Sequence, residues 1–142
     1  MKKFFLAIVA LVFVSVQSFA DRAVEKSQLP ANVQEFVKKH FPNIEVSYAK
    51  QDNDLFERDY TVVLTNGNKI EFTSKGEWKE VDCEHHQVPE GIIPDAIRKY
   101  LNENQKGHRV IEIKKDFRHY DVKLSNKLEM EFGLDGKLLR YD

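Results

Sequence analysis

Several things are scarce in this chain, and each scarcity removes a class of explanation. Its 142 residues include one cysteine, Cys83. A chain with one cysteine cannot staple itself, so packing alone must hold the fold, and the thiol is either buried and inert or open to pairing with another chain. Basic excess is missing, with 22 Lys and Arg against 23 Asp and Glu, which argues against nucleic acid as a partner. After residue 20 no long apolar run remains, so nothing there spans a membrane. Gly-x-Ser-x-Gly, His-Glu-x-x-His and a phosphate-cradling glycine loop are all absent, so no nucleophile-and-base constellation and no cofactor are expected, and the chain reads as a non-enzyme. Cys83 with His85 or His119 would be the one imaginable thiol–imidazole pair, and no local signature supports it.

The chain opens with Lys2-Lys3, an apolar stretch from Phe4 to Val16, and small residues Ser18 and Ala20 at −3 and −1 of a cut before Asp21. This is the layout of a cleaved secretory signal peptide, residues 1–20. The apolar stretch is short of the ~20 residues of a membrane anchor. Cleavage leaves 122 residues and removes two lysines, moving the formal charge from −1 to −3. Export follows, with enough chain for one domain with a core.

What is present is a repeat. Slid by 60, Tyr60, Leu64, Asn66, Glu71, Phe72, Gly76 and Asp82 meet Tyr120, Leu124, Asn126, Glu131, Phe132, Gly136 and Asp142. Val33, Phe36, Val37, His40 and Phe41 have helical spacing, as do Ile93, Ala96, Ile97, Tyr100 and Leu101 at the same offset, with the second helix running on to Gly107. Strands follow at 44–51, 56–65, 69–74 and 78–83, and again at 109–115, 117–125, 129–134 and 137–141. The expected fold is α+β: two tandem helix-plus-four-antiparallel-strand repeats sharing one sheet, with the helices packed on one face. A linker at 21–27 precedes repeat 1 at 28–83; a connector at 84–87 leads to repeat 2 at 88–142.

A three-residue turn at Asn66-Gly67-Asn68 and two-residue turns at Lys75-Gly76 and Asp135-Gly136 set the register. They place Leu64 against Ile70, Val62 against Phe72, Phe72 against Lys79 and Ile70 against Val81. In the second half Leu124 meets Met130, Val122 meets Phe132, Phe132 meets Leu139 and Met130 meets Tyr141. On the opposite, open face Trp78 then stands beside Thr73 and Thr61, with Asp59 near. Glu71 and Glu80 oppose each other, whereas Lys123, Glu131 and Arg140 form a self-satisfied row. Like charges directly across a sheet are destabilising, and exposed tryptophan is a hot-spot residue type. Trp78, Glu71, Glu80, Thr73 and Asp59 are therefore the candidate partner-binding residues, for a protein or peptide. The alternative is a small ligand or cation held by Glu71 and Glu80 or by Cys83-Glu84-His85-His86. Adjacent histidines on an extended segment point apart, so that segment reads first as a polar connector. His40 lies on an apolar stripe and reads as a partly buried histidine rather than a ligand.

The segments Ile70-Glu71-Phe72-Thr73-Ser74-Lys75-Gly76-Glu77-Trp78 and Met130-Glu131-Phe132-Gly133-Leu134-Asp135-Gly136-Lys137-Leu138, with Leu-Pro and Val-Pro helix starts and a signal peptide, resemble the PepSY-like family of small periplasmic proteins. The resemblance covers essentially the whole mature chain. It implies a fold similar to β-lactamase-inhibitor proteins, periplasmic residence and no established catalytic activity. The family's names suggest inhibition of a peptidase or other envelope enzyme through the open sheet face.

Overall fold

The order of elements already shows how the chain is laid out. The structure, a computed structural model, describes residues 21–142, and the expected signal peptide at 1–20 lies outside them. Strand β1 (Arg22–Val24) and a 3-10 turn lead to helix α1 (Ala31–His40), followed by β2 (Val46–Gln51), β3 (Tyr60–Leu64), β4 (Lys69–Phe72) and β5 (Trp78–Asp82). A second 3-10 turn, Glu90–Ile92, leads to α2 (Asp95–Asn104), then β6 (Val110–Lys115), β7 (His119–Leu124), β8 (Glu129–Gly133) and β9 (Leu138–Tyr141). The nine strands among the described residues form one sheet in chain order, each antiparallel to the next. No described helix is long and apolar enough to cross a membrane.

Both helices begin directly after a proline with extended backbone, Pro30 and Pro94, whose carbonyls accept the first helical bonds from Val33 and Arg98 at 3.0 Å. Proline has no N–H to contribute, so a helix can start after it but not run smoothly through it. This corrects the second helix. It starts at Asp95 instead of following Pro89, and it is ten residues long, the same as the first. Ile93 is buried ahead of the helix, and the counterparts are Val33 with Ile97 and Phe36 with Tyr100. The helices are offset by 64 residues, as are β2 and β6. The shorter β6–β7 connection then restores the offset to 60.

The helices cover one face. Phe36 meets Phe72 edge-on at 5.3 Å between ring centres, and Tyr100 meets Phe132 at 5.5 Å. Such aromatic pairs contribute about 0.5–1.5 kcal/mol beyond the area they bury. Val33, Val37, Ile97 and Leu101 complete a core with Val62, Ile70, Phe72, Val81, Val122, Met130 and Phe132. Cys83 is buried in that core, and burial followed by the nearby Asp82 carboxylate pushes its thiol up to about 12.

Two register corrections matter for the open face. The β3–β4 turn is Thr65-Asn66-Gly67, one residue earlier than expected. Leu64 N donates to Asn68 O at 2.8 Å, and Asn66 Oδ1 accepts from Asn68 N at 3.1 Å. Val62 therefore pairs with Ile70 and Tyr60 with Phe72. The same turn in the second half pairs Val122 with Met130 and Tyr120 with Phe132. The slip is two residues, so every side chain keeps its face.

The β4–β5 turn has three residues, with Thr73 N donating to Glu77 O at 2.7 Å. A bulge between Glu71 and Phe72 then sets Phe72 against Trp78, while Ile70 against Val81 is as expected. An equal bulge sets Phe132 against Leu138, with Met130 against Tyr141 as expected. A bulge opposes two residues to one and re-aims side chains. Hence Trp78 and Leu138 pack on the core, and Leu139 is exposed. Within residues 21–27, expected as a linker, Arg22–Val24 forms β1, which pairs with β2 from Arg22–Gln51 to Val24–Ala49 and is a short edge strand on that side of the sheet.

Candidate functional site

The open face is read most easily as rows across the sheet. One row runs Thr61, Glu71, Glu80, Lys114, Asp121, Glu131, each residue paired with the next through five adjacent ladders. Glu71 and Glu80 thus face each other directly, and β4 and β5 hold them there because each alternates with a buried neighbour. Burial, then the Glu71 charge, raises the Glu80 carboxyl above the ordinary glutamate value. Cations flank the pair: Lys69 Nζ lies 3.4 Å from Glu71, and Lys114 is paired across from Glu80. Burial pulls the Lys69 ammonium down, but Glu80 and Glu71 outweigh it and leave the group raised. The expected row of Lys123, Glu131 and Arg140 is replaced by Asp121, Glu131 and Arg140, because Lys123 pairs with Glu129.

Trp78 leaves this face. The bulge turns it towards Phe72 at the end of the sheet, where its ring lies 6.4 Å from Tyr120, and the Lys115 ammonium sits 5.8 Å from the centre of each ring. It is not beside Thr61. It does share an open groove of about 930 Å³ with Asp59, Thr73 and Lys79. Asp59 accepts from Lys79 Nζ at 2.5 Å, and the hydrogen bond and charge of Asp59 together raise the lysine. Thr73 Oγ1 accepts from Glu77 N at 3.2 Å and shapes the turn that forms one wall. Of the five candidates, then, Trp78, Thr73 and Asp59 gather at the groove, and Glu71 and Glu80 lie on the open face beyond it.

Two groove residues escaped the sequence reading. Phe56 is 92% exposed and Phe117 83% exposed, at the β2–β3 and β6–β7 loops. Phe56 shares the alternation of Tyr60, Val62 and Leu64, whereas Phe117 falls on the opposite parity to Tyr120, Val122 and Leu124; both read as strand residues because each stands just ahead of an apolar alternating run. The signal against that was Asp116, whose Oδ1 accepts from Arg118 N at 2.7 Å and His119 N at 2.9 Å, a turn that halts the strand before Phe117.

A second missed grouping is His119, Asp121 and Glu131, each offering one ligand atom within 4.8 Å of the others. Among the described residues it is the one such trio of His, Cys, Asp and Glu. The two-residue slip had set Glu131 against Lys123 and hidden it. Cys83-Glu84-His85-His86 forms no such cluster: Cys83 is buried while Glu84, His85 and His86 are exposed. A thiol held near 12 stays protonated at neutral pH, so Cys83 supplies no thiolate nucleophile. His40 rests on Phe36 at 4.5 Å, and burial, then Lys39, holds its imidazole below the ordinary value.

One antiparallel sheet backed by two helices and polar on its other side defines an α+β protein with an open sheet face. The chain belongs to the family described as "Putative beta-lactamase-inhibitor-like, PepSY-like", which matches residues 18–57 and 58–140. It is similar to a crystal structure of a "putative calcium-regulated periplasmic protein" from Bacteroides thetaiotaomicron, at 43% identity and a TM-score of 0.84, covering 86% of this chain and 96% of that one. It is also similar to two from Bacteroides vulgatus. One is a "putative periplasmic protein" of the DUF2874 family, at 40% identity and a TM-score of 0.82 over 86% and 96% of the chains. The other is a "putative periplasmic protein of unknown function", at 38% and 0.82 over 87% and 99%. No curated protein matches the chain.

Proposed function

We propose that this chain is a non-catalytic binding module of the bacterial periplasm, exported through a cleaved signal peptide and built from two copies of one helix-plus-four-strand unit. It captures a protein or peptide at the groove end of its sheet. The target class is an envelope enzyme such as a peptidase, in keeping with the family's description as β-lactamase-inhibitor-like. The observation that carries the reading is Phe56 and Phe117, two solvent-exposed phenylalanines that line the same groove as the half-buried Trp78. Exposed aromatics clustered around a partly filled groove mark interaction sites, and aromatics are enriched at interface cores. Lys79 and Asp59 supply a polar rim, and Glu71 and Glu80 extend the surface along the open face. Support for two units comes from paired irregularities: bulges at Glu71/Phe72 and Glu131/Phe132, and at Val46/Tyr48 and Val110/Glu112.

The test compares capture from an envelope extract by the wild type and by Phe56→Ser with Phe117→Ser. Both rings are solvated, so the double variant should keep its melting temperature and lose the captured protein. Retention of the same protein by the double variant would refute the groove as the docking site.

A second reading is a cation on the open face at Glu71 and Glu80. The opposed carboxylates and the description of one relative as calcium-regulated favour it. Titrating calcium into the wild type and into Glu80→Gln, read by thermal shift, tests this. An equal shift in both proteins, or none in either, counts against it.

A further inference from the structure

We propose that His119, Asp121 and Glu131 form a binding site for a divalent transition ion of the Zn²⁺ class, distinct from the Glu71–Glu80 pair. The backbone assembles the trio. His119 and Asp121 are two apart on β7, so both point to the same face, and Glu131 on β8 pairs directly with Asp121. His119 Nε2 lies 3.2 Å from Asp121 Oδ2. Ligands about 2.1 Å from an ion and about 90–110° apart are themselves about 3.0–3.4 Å apart, so the spacing already matches an ion's coordination shell.

The imidazole is held between two carboxylates. Its Nδ1 lies 3.4 Å from Asp116 Oδ1, and that carboxylate is fixed by the backbone N–H groups of Arg118 and His119. A neutral imidazole has one N–H. When Nδ1 carries it towards Asp116, the Nε2 lone pair faces the Asp121 oxygen with nothing positive between them. An ion at that point satisfies both atoms. A carboxylate behind the distal nitrogen of a ligating histidine is the common arrangement that fixes its tautomer.

The first half of the chain shows what happens when this space is filled by the protein. Sixty residues earlier stand Asp59, Thr61 and Glu71, and there Lys79 Nζ binds Asp59 at 2.5 Å. The counterpart of Lys79 is Leu139, which is exposed and brings no charge. The second half has a histidine in place of that aspartate and lacks that lysine. Arg140 Nε does donate to Glu131 Oε2 at 2.8 Å, and the other Glu131 oxygen is the one assigned to the ion. One imidazole nitrogen with two carboxylates is a borderline donor set that suits Zn²⁺, Mn²⁺ or Co²⁺, whereas Ca²⁺ takes six to eight oxygens. Three protein ligands leave a position open for water or for a group from a partner.

The test is calorimetric titration of ZnCl2, and separately CaCl2, into the metal-stripped chain spanning 21–142. The expected result is one Zn²⁺ per chain, weakened about 30-fold or more in His119→Ala and about tenfold in Asp116→Asn, which keeps the turn but loses the charge behind the imidazole. His85→Ala with His86→Ala is the control and should bind as the wild type does. Unchanged binding in His119→Ala, loss in the His85/His86 variant, or no Zn²⁺ heat at all overturns the proposal. Should His119→Ala fail to fold by circular dichroism, the histidine ring resonances of the wild type decide. Saturable Zn²⁺-induced shifts at the His119 ring support the site, and an unmoved ring overturns it.

Discussion

Trp78→Ala separates the bulged register from the unbulged one. Had Trp78 stood on the open face, truncating it would leave stability nearly untouched. In the structure its ring packs against the core, 6.4 Å from the Tyr120 ring and under the Lys115 ammonium. Truncating a fully buried tryptophan costs about 3–5 kcal/mol. Trp78 keeps part of its ring in the groove, so roughly half that applies, about 2 kcal/mol, and the lost edge contact with Tyr120 falls within it. For a domain of this size each kcal/mol moves the midpoint by about 4 °C, giving a fall of about 8 °C. The assay is thermal and urea unfolding followed by far-ultraviolet circular dichroism, because Trp78 is the sole tryptophan and its fluorescence vanishes with the substitution. A loss below about 0.5 kcal/mol, the range of ordinary surface changes, would refute the packing argument. It follows that loss of capture in Trp78→Ala is no clean functional evidence, whereas loss in the phenylalanine variants is.

Other expectations follow from single positions. Lys127 is the one described non-glycine residue with positive φ, at 70°, where the first half has Gly67 at 91°. Lys127→Gly should stabilise by about 0.5–1 kcal/mol in urea unfolding, because the left-handed conformation strains a side chain. Gly76→Ala should destabilise strongly, by about 2 kcal/mol or more: φ is +81°, and an added Cβ would lie 2.6 Å from Asn32 Cγ, whose amide donates to Lys75 O. Glu80 binds its proton more tightly folded than unfolded, owing to burial and then Glu71. Its contribution to stability is therefore lost as pH rises from the ordinary glutamate value through the raised folded one. Glu80→Gln should flatten that part of the pH–stability curve and gain about 0.5 kcal/mol at pH 7.

What could be seen in the sequence was parity, and what escaped was phase. Alternation assigned Val62, Ile70, Phe72, Val81, Val122, Met130 and Phe132 to one face, and all seven are buried in the structure. A two-residue slip leaves such a pattern intact, so the facing was right while the partners across β3–β4 and β7–β8 were shifted. The helices failed for a related reason. A stripe at i, i+3, i+4, i+7, i+8 moved by four residues largely overlaps itself, so periodicity alone could not separate an offset of 60 from one of 64. Pro94 held that information through its missing N–H. Bulges leave no periodic trace, and for that reason Trp78 and Lys79 exchanged roles, as did Leu138 and Leu139. The candidate site was legible in part: the Glu71–Glu80 opposition appears at the expected place, while the His119 trio required the correct pairing of Asp121 with Glu131.

The central claim is that a partner lies over the groove at the end of the sheet. A photo-reactive phenylalanine analogue placed at Phe56, and separately at Lys39 on the solvent side of α1, measures this directly in envelope extract. One specific cross-linked partner is expected from position 56 and none from position 39. The same partner trapped equally from both positions, or only from position 39, would contradict that claim.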